Sequence, residues 1–257
     1  MKYFVVSDVH DHCDLLQKAL ESNGFDEDNE NHRLIICGDA FYSGPQPGEL
    51  FVFLHELHNK GKLIFVRGNH DLELLDNLNN GRFGRKANRT CAALIVKRLT
   101  ERTDLTDEEL IAECSRLGFT QFLSDVPVWH YETDHYVFCH GFIPTVKKQY
   151  DPDWRGADEK RWRSAVTSDG MYLSMRCGIS EPNKTIVFGH YSTARCRLMQ
   201  NASEKDWEDK IYTDQSKISK LLKQGGYLPF YGNTFIAMDQ SVKKTGFINC
   251  IVLENTC

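Results

Sequence analysis

Five short apolar runs in this chain end in the same way. Tyr3-Phe4-Val5-Val6 stops at Ser7-Asp8-Val9-His10, and Leu34-Ile35-Ile36-Cys37 stops at Gly38-Asp39. Leu63-Ile64-Phe65-Val66 runs into Arg67-Gly68-Asn69-His70-Asp71, Val137-Phe138-Cys139 into His140-Gly141, and Ile186-Val187-Phe188 into Gly189-His190. Unbroken apolar runs of this length read as strands buried on both faces. Between the first three lie two stretches with helical spacing. Residues 13–23 carry Leu15, Leu16, Ala19 and Leu20 on one face, and residues 48–59 carry Leu50, Phe51, Phe53, Leu54 and Leu57. Asp8 and Asp39 are 31 positions apart and Asp39 and Asn69 are 30 apart, the length of one βαβ unit. Parallel strands in register would bring all three to one edge.

The rest of the chain alternates less regularly. Residues 71–125 predict helices with breaks near 79–81 and 103–104, forming a cap or flank; Thr106 with Asp107, Glu108 and Glu109 behind it marks a helix start. Residues 128–131 and 136–139 predict a hairpin across Glu132-Thr133-Asp134. Residues 150–183 predict loop and short helix, 200–232 the least ordered part, and 234–238 with 246–253 a closing antiparallel pair. No linker or repeat divides the chain, so one domain over 1–257 is expected.

Composition narrows the classes. A chain of 257 residues with 41% hydrophobic content supports one full core. A net charge of −5 argues against a large basic surface for duplex nucleic acid. Nine cysteines without C-x-x-C pairing point to reduced thiols and a cytoplasmic location. Met1-Lys2 leads at once into the first strand, so this end is expected to be structural rather than a targeting segment. No apolar stretch approaches the roughly 20 residues of a membrane span.

The chemistry sits at the strand ends. One Asp or His there is usually a cap or a hydrogen-bonded loop residue. Asp8, His10, Asp39, Asn69, His140 and His190 together describe one site, because ligands of α/β sheets collect beyond the carboxyl ends of strands. Carboxylates, imidazoles and an amide carbonyl suit Mn, Fe, Zn or Mg. Six ligands exceed what one catalytic ion takes while keeping open positions. They fit two ions about 3.5–4 Å apart, with Asp39 bridging and a shared water made into hydroxide near neutral pH. Asp8 and His10, two apart on an extended segment, would serve one ion; His140 and His190 would complete the other. His70 is placed to protonate a leaving oxygen and Arg67 to bind a phosphoryl oxygen. Cys37 and Cys139 lie within apolar runs and read as inert core thiols. His12, His55, His58 and His130, with Trp154, Trp162 and Trp207, read as structural.

The order D-x-H, G-D, G-N-H-[DE], H-G, G-H resembles the calcineurin-like metallophosphoesterases. It is carried by Asp8-Val9-His10, Gly38-Asp39, Gly68-Asn69-His70-Asp71, His140-Gly141 and Gly189-His190. The resemblance implies an α/β (α+β) fold, two mixed β-sheets packed as a sandwich flanked by helices, with two divalent ions, Mn foremost. Gly189-His190-Tyr191-Ser192 lacks the second His of a G-H-x-H ending, which resembles the phosphoprotein-phosphatase branch, home of bacterial and phage Ser/Thr phosphatases and symmetrical diadenosine tetraphosphate hydrolases. Two departures stand out. Tyr42 occupies the place of an Asp that orients the catalytic His, and Ser43 the place of a phosphate-gripping Arg. Tyr42 hydroxyl, Asp71 or a backbone carbonyl would then have to orient His70. Arg67 matches a phosphate-binding Arg of the branch, and Arg161 or Arg163 would supply another. Asp11 stands where Gly is usual and adds a carboxylate near the ions.

The reading that follows is a dimetal-dependent phosphomonoesterase acting on a phosphoprotein or small phosphoester, with neither duplex nucleic acid nor membrane as partner. Its alternatives are a dinucleoside polyphosphate hydrolase and a metal-bearing interaction module with weak catalysis.

Overall fold

The computed structural model describes residues 1–254. The first half alternates strand and helix: β1 (Lys2–Val6), α1 (Cys13–Ser22), β2 (His32–Cys37), α2 (Pro47–Asn59) and β3 (Leu63–Val66). Four helices follow: α3 (Asn69–Asn79), α4 (Lys86–Thr100), α5 (Asp107–Arg116) and α6 (Phe119–Asp125). Then come the hairpin of β4 (Tyr131–Glu132) and β5 (Tyr136–Phe138), the short helices α7 (Glu159–Ala165) and α8 (Gly170–Met175), and β6 (Thr185–Phe188). The last part comprises α9 (Thr193–Gln200), α10 (Glu204–Glu208), α11 (Gln215–Lys223), β7 (Phe230–Tyr231), β8 (Phe235–Ala237), α12 (Val242–Thr245) and β9 (Ile251–Glu254).

The strands form two mixed sheets, β3-β2-β1-β9 and β4-β5-β6-β8-β7. Side chains alternate across each strand, so every buried strand feeds two cores. Tyr3, Val5, Ile35, Cys37 and Val66 face Phe138, Val187, Ile236 and Met238 between the sheets. Phe4, Val6, Leu34 and Ile36 face the other way, onto the apolar sides of α1 to α6. The second sheet does the same, with Val137, Ile186 and Phe188 packed under Trp154, Trp162 and Met171. The helices of 71–125 therefore flank the first sheet.

Register places the chemistry. Val6 pairs with Ile36 and Cys37 with Val66, so the first three strands end level. Phe138 pairs with Val187 and Phe188 with Ala237, so the strands of the second sheet end level too.

One pairing expectation is corrected. The runs 234–238 and 246–253 do not pair with each other: β8 lies parallel to β6, whereas β9 lies antiparallel to β1. Both runs have strand character, but the partner is set by which sheet edge stands open. Residues 200–232 hold two short helices between polar connections. Ser203 and Asp214 cap α10 and α11, accepting from Asp206 N–H and Ser216 N–H. Ile218 and Leu222 pack on Ala194.

Candidate metal centre

Each site loop starts where a strand's ladder gives way to a bond between neighbouring strand ends. Asp8 N–H donates to Gly38 O at 3.1 Å and His10 N–H to Asp39 O at 3.1 Å. Asp8, His10, Asp39 and His190 have φ of 52°, 47°, 53° and 71°, in the left-handed region that side chains normally avoid. Two glycines permit the close approach of these turns. A Cβ on Gly189 would stand 1.8 Å from Ser7 Oγ, and one on Gly68 would stand 2.1 Å from Asp39 Oδ1.

The turns gather the predicted side chains into two clusters that share Asp39. Asp8, His10 and Asp39 form one; Asp39, His140 and His190 form the other; in each, the ligand atoms lie within 4.8 Å of one another. Asn69 Oδ1 stands 3.1 Å from His140 Nε2, and Asp39 Oδ2 stands 3.2 Å from the same nitrogen. His140 Nδ1 donates to the Cys37 carbonyl at 2.8 Å, which leaves Nε2 to face the cluster. Asp8 Oδ2 receives the Ser7 hydroxyl at 2.5 Å and His190 N–H at 3.1 Å.

The electrostatics ask for cations. Burial, and then the neighbouring Asp239 charge, pushes Asp8 well above the usual carboxylate range. Burial pushes His10 and His190 down to about 3 each, so both rings are neutral with lone pairs available. Burial opposes charge on Asp39 and His140 as well, but their mutual attraction outweighs it, lowering the carboxylate and raising the imidazole. The proton that this pair holds on His140 Nε2 is the one a metal ion would displace. Buried carboxylates crowded with neutral imidazoles are the donor set that divalent ions satisfy, so the residues present fit the two-ion expectation.

His70 stands at the rim. Its Nε2 is 3.9 Å from Asp39 Oδ2, and its backbone N–H donates to Asp39 Oδ1 at 2.9 Å. Among the described residues Nδ1 has no hydrogen-bond partner; Glu73 Oε2 is 3.9 Å away. None of the three expected orienting groups bonds it. The Tyr42 ring instead stacks flat on the imidazole, 3.5 Å between centroids and 7° between planes. Asp71 is spent on backbone, accepting from Asp39 N–H at 2.8 Å, Gly68 N–H at 3.0 Å and Phe41 N–H at 3.0 Å. Asp11 is likewise turned from the clusters; it accepts from Gly44 N–H at 2.9 Å and burial pushes it up to about 7.

The expected substrate arginines are engaged elsewhere. Arg67 donates to the Leu123 and Ser124 carbonyls and lies 5.3 Å from the Trp129 ring. Arg163 forks onto Asp76 at 2.8 and 3.0 Å and bonds Glu159. Arg161 pairs with Asp151. Lys243, not singled out from sequence, lies 4.4 Å from the Tyr42 centroid, where the charges of Asp11 and Asp39 reach it. Asp239 was missed as well. It follows β8 by two positions, as His140 and His190 follow β5 and β6, and the apolar run Phe235-Ile236-Ala237-Met238 ending at Asp239 was the signal. Gln240 beside it donates to the Ser7 and Asp8 carbonyls at 3.2 and 3.1 Å and so ties the last strand to the first site loop.

Candidate metal-ligand clusters at the carboxyl edges of a two-sheet sandwich fit a metal-dependent hydrolase. The sequence matches the calcineurin-like phosphoesterase family over residues 1–226. The chain belongs to that family, and it is a metal-dependent phosphoric ester hydrolase. No curated protein sequence matches it. Among solved structures it is similar to a cold-active protein-tyrosine phosphatase of a psychrophile, Shewanella sp., at 19% identity and a TM-score of 0.54, covering 99% of this chain and 75% of that one. A mutant of a cold-active protein tyrosine phosphatase is similar at 18% identity and a TM-score of 0.52, with the same coverage. At such identities these likenesses show a common fold alone.

Proposed function

We propose that this protein is a phosphomonoesterase of the protein-phosphatase type, acting as one domain over residues 1–257 and residing in the cytoplasm. The observation that carries the reading is the pair of clusters sharing Asp39, with the His70 imidazole at their rim. Asp8, His10 and Asp39 would hold one ion, and Asp39, Asn69, His140 and His190 the other, with Mn the expected metal. When bound, such ions supply positive charge for phosphoryl oxygens and acidify water near neutral pH. The protein does the rest. In its protonated form His70 would deliver a proton from Nε2 to the leaving oxygen as the ester bond breaks. The flat stack on Tyr42 fixes the plane of its ring. Lys243 offers an ammonium for a phosphoryl oxygen, in a molecule where Ser43 has no charge to give. Arg67 and Arg163 are proposed as rim cations for which substrate competes with their protein partners.

Monoesters are favoured because the ligand set ends at His190. Ser192, where a further His ligand would stand, accepts from Ala194 N–H and caps α9. No helix among the described residues is long and apolar enough to cross a membrane.

The test is an assay with Mn²⁺ on an aryl phosphate, a bis-aryl phosphate, phosphopeptides and diadenosine tetraphosphate, with metal analysis alongside. Faster turnover of the aryl monoester and about two ions per chain are expected. A faster rate on the bis-aryl substrate would overturn the assignment.

A further inference from the structure

A cavity of about 440 Å³ lies between α8, α9 and the segments 145–148 and 210–213. That volume lies within the roughly 300–1,000 Å³ typical of small-molecule sites. Its lining includes three cations, Lys148, Arg195 and Lys210, against one carboxylate, Asp169, with Tyr172 and Tyr212 as walls. A local excess of positive charge is notable in a chain whose net charge is −5.

Arg195 shows that this wall is built. It is only 7% exposed, yet its one side-chain hydrogen bond among the described residues runs from Nη2 to Asp169 Oδ2 at 2.6 Å. A guanidinium has five N–H donors, and here Nε is buried with no acceptor at all. Asp169 balances the charge and the Tyr191 and Tyr212 rings lie against the guanidinium, yet most of its N–H donors remain without an acceptor and give an anionic ligand something to bind.

Two side-chain contacts relate the cavity wall to the metal-ligand loops. The Arg195 guanidinium lies 4.0 Å over the Tyr191 ring, and that ring is 4.3 Å from the His190 ring. On the other side Gly170, next to Asp169, packs so tightly that a Cβ would stand 2.5 Å from the Gly141 carbonyl, one residue from His140.

We propose that this cavity is an anion subsite that holds a second phosphate on the leaving group of the substrate. The inference rests on the phosphomonoesterase reading and refines it: the preferred substrate is a bisphosphorylated small molecule. Water adds to the scissile phosphorus, the bond to the leaving oxygen breaks, and a proton passes to that oxygen. Orthophosphate and the remaining monophosphate are released, with the second phosphate unchanged throughout.

The experiment compares an alkyl monophosphate with the corresponding α,ω-bisphosphate in the Mn²⁺-loaded enzyme. The wild type should prefer the bisphosphate by about tenfold or more in kcat/KM, the effect expected of one or two charge-assisted contacts. The double variant Lys148→Ala/Lys210→Ala, both exposed positions, should collapse that preference about tenfold. Arg195→Lys should also reduce it, but the lysine pair carries the test because it spares the buried wall. Equal kcat/KM for the two substrates in the wild type, or an undiminished preference in the double variant, would overturn the subsite. Pyrophosphate binding to chelator-treated protein, followed by calorimetry, separates the two levels of inference. If neither ester is hydrolysed but pyrophosphate binds and the lysine substitutions weaken it, the subsite stands and the phosphomonoesterase reading falls. If pyrophosphate does not bind, or binds both proteins alike, the subsite falls.

Discussion

Tyr42 and His70 show what a single substitution in a motif does physically. An aspartate in that place would offer a charge to an imidazole nitrogen; a tyrosine offers a face. The ring is held by contact over its whole plane, and burial leaves its affinity for protons below the ordinary histidine range. If stacking is the orienting force, Tyr42→Phe should keep turnover within about twofold, whereas Tyr42→Ala should lower it by about tenfold or more. Equal losses in the two variants would instead assign the role to the hydroxyl. His70→Asn should cut turnover of an alkyl phosphate by about 10²–10⁴-fold and spare an activated aryl phosphate, whose phenolate needs little protonation. Metal content should not change. Equal slowing of both substrates, or loss of metal, would make His70 structural or a ligand.

The element that organises the centre is the first turn of α3. Asp71 sits there, fully buried, and its carboxylate closes three backbone N–H groups from the Asp39 and Asn69 loops. Those donors have no other described partner, so the carboxylate sets the separation of the two loops. Asp71→Ala should destabilise the fold by about 3–5 kcal/mol, the cost of several orphaned buried donors. Denaturant titration reads that loss, and metal content should fall with it. A stability change within about 0.5 kcal/mol would show that the loops hold their separation without it.

Across the whole molecule, an ion network fastens the second sheet to the loops beyond it. Arg155 bridges Glu132 and Glu181 at 2.7 Å each, and Lys184 reaches Glu132 at 2.9 Å. Burial works against the Glu132 charge, but Arg155 and Lys184 outweigh it and pull the carboxyl down from 4.5 to about 2. A folded-state value below the unfolded one gives stability that is complete above the unfolded value and is lost as pH falls through the folded one. Glu132→Gln should therefore lower stability by about 1 kcal/mol near neutral pH, a figure discounted for the solvent that reaches the group. The gap from wild type should close as pH falls from about 4.5 to about 2. A gap independent of pH would trace the loss to packing instead.

Local pattern alone determined the strand-end placement of the candidate ligands, the βαβ opening and the helical flank, because apolar periodicity and cap residues act over a few positions. Asp8, His10, Asp39, Asn69, His140 and His190 were legible for that reason: each terminates a run that must be buried. Asp239 followed the same rule, but its run was assigned to a closing antiparallel pair with the final strand. Which strand pairs with which is a long-range choice made by open sheet edges, and no local pattern carries it. Side-chain engagement was hidden in the same way. Arg67 and Arg163 look like free cations in sequence, yet folding sets acceptors from residues 76, 123, 124 and 159 beside them. Tyr42 became a stacking partner of His70, and Lys243 came to lie over the Tyr42 ring, only because tertiary packing brought α12 and the Asp39 loop together. Charge, shape and reach across the site depend on distances between residues remote in the chain, and those distances exist only once the two sheets have packed.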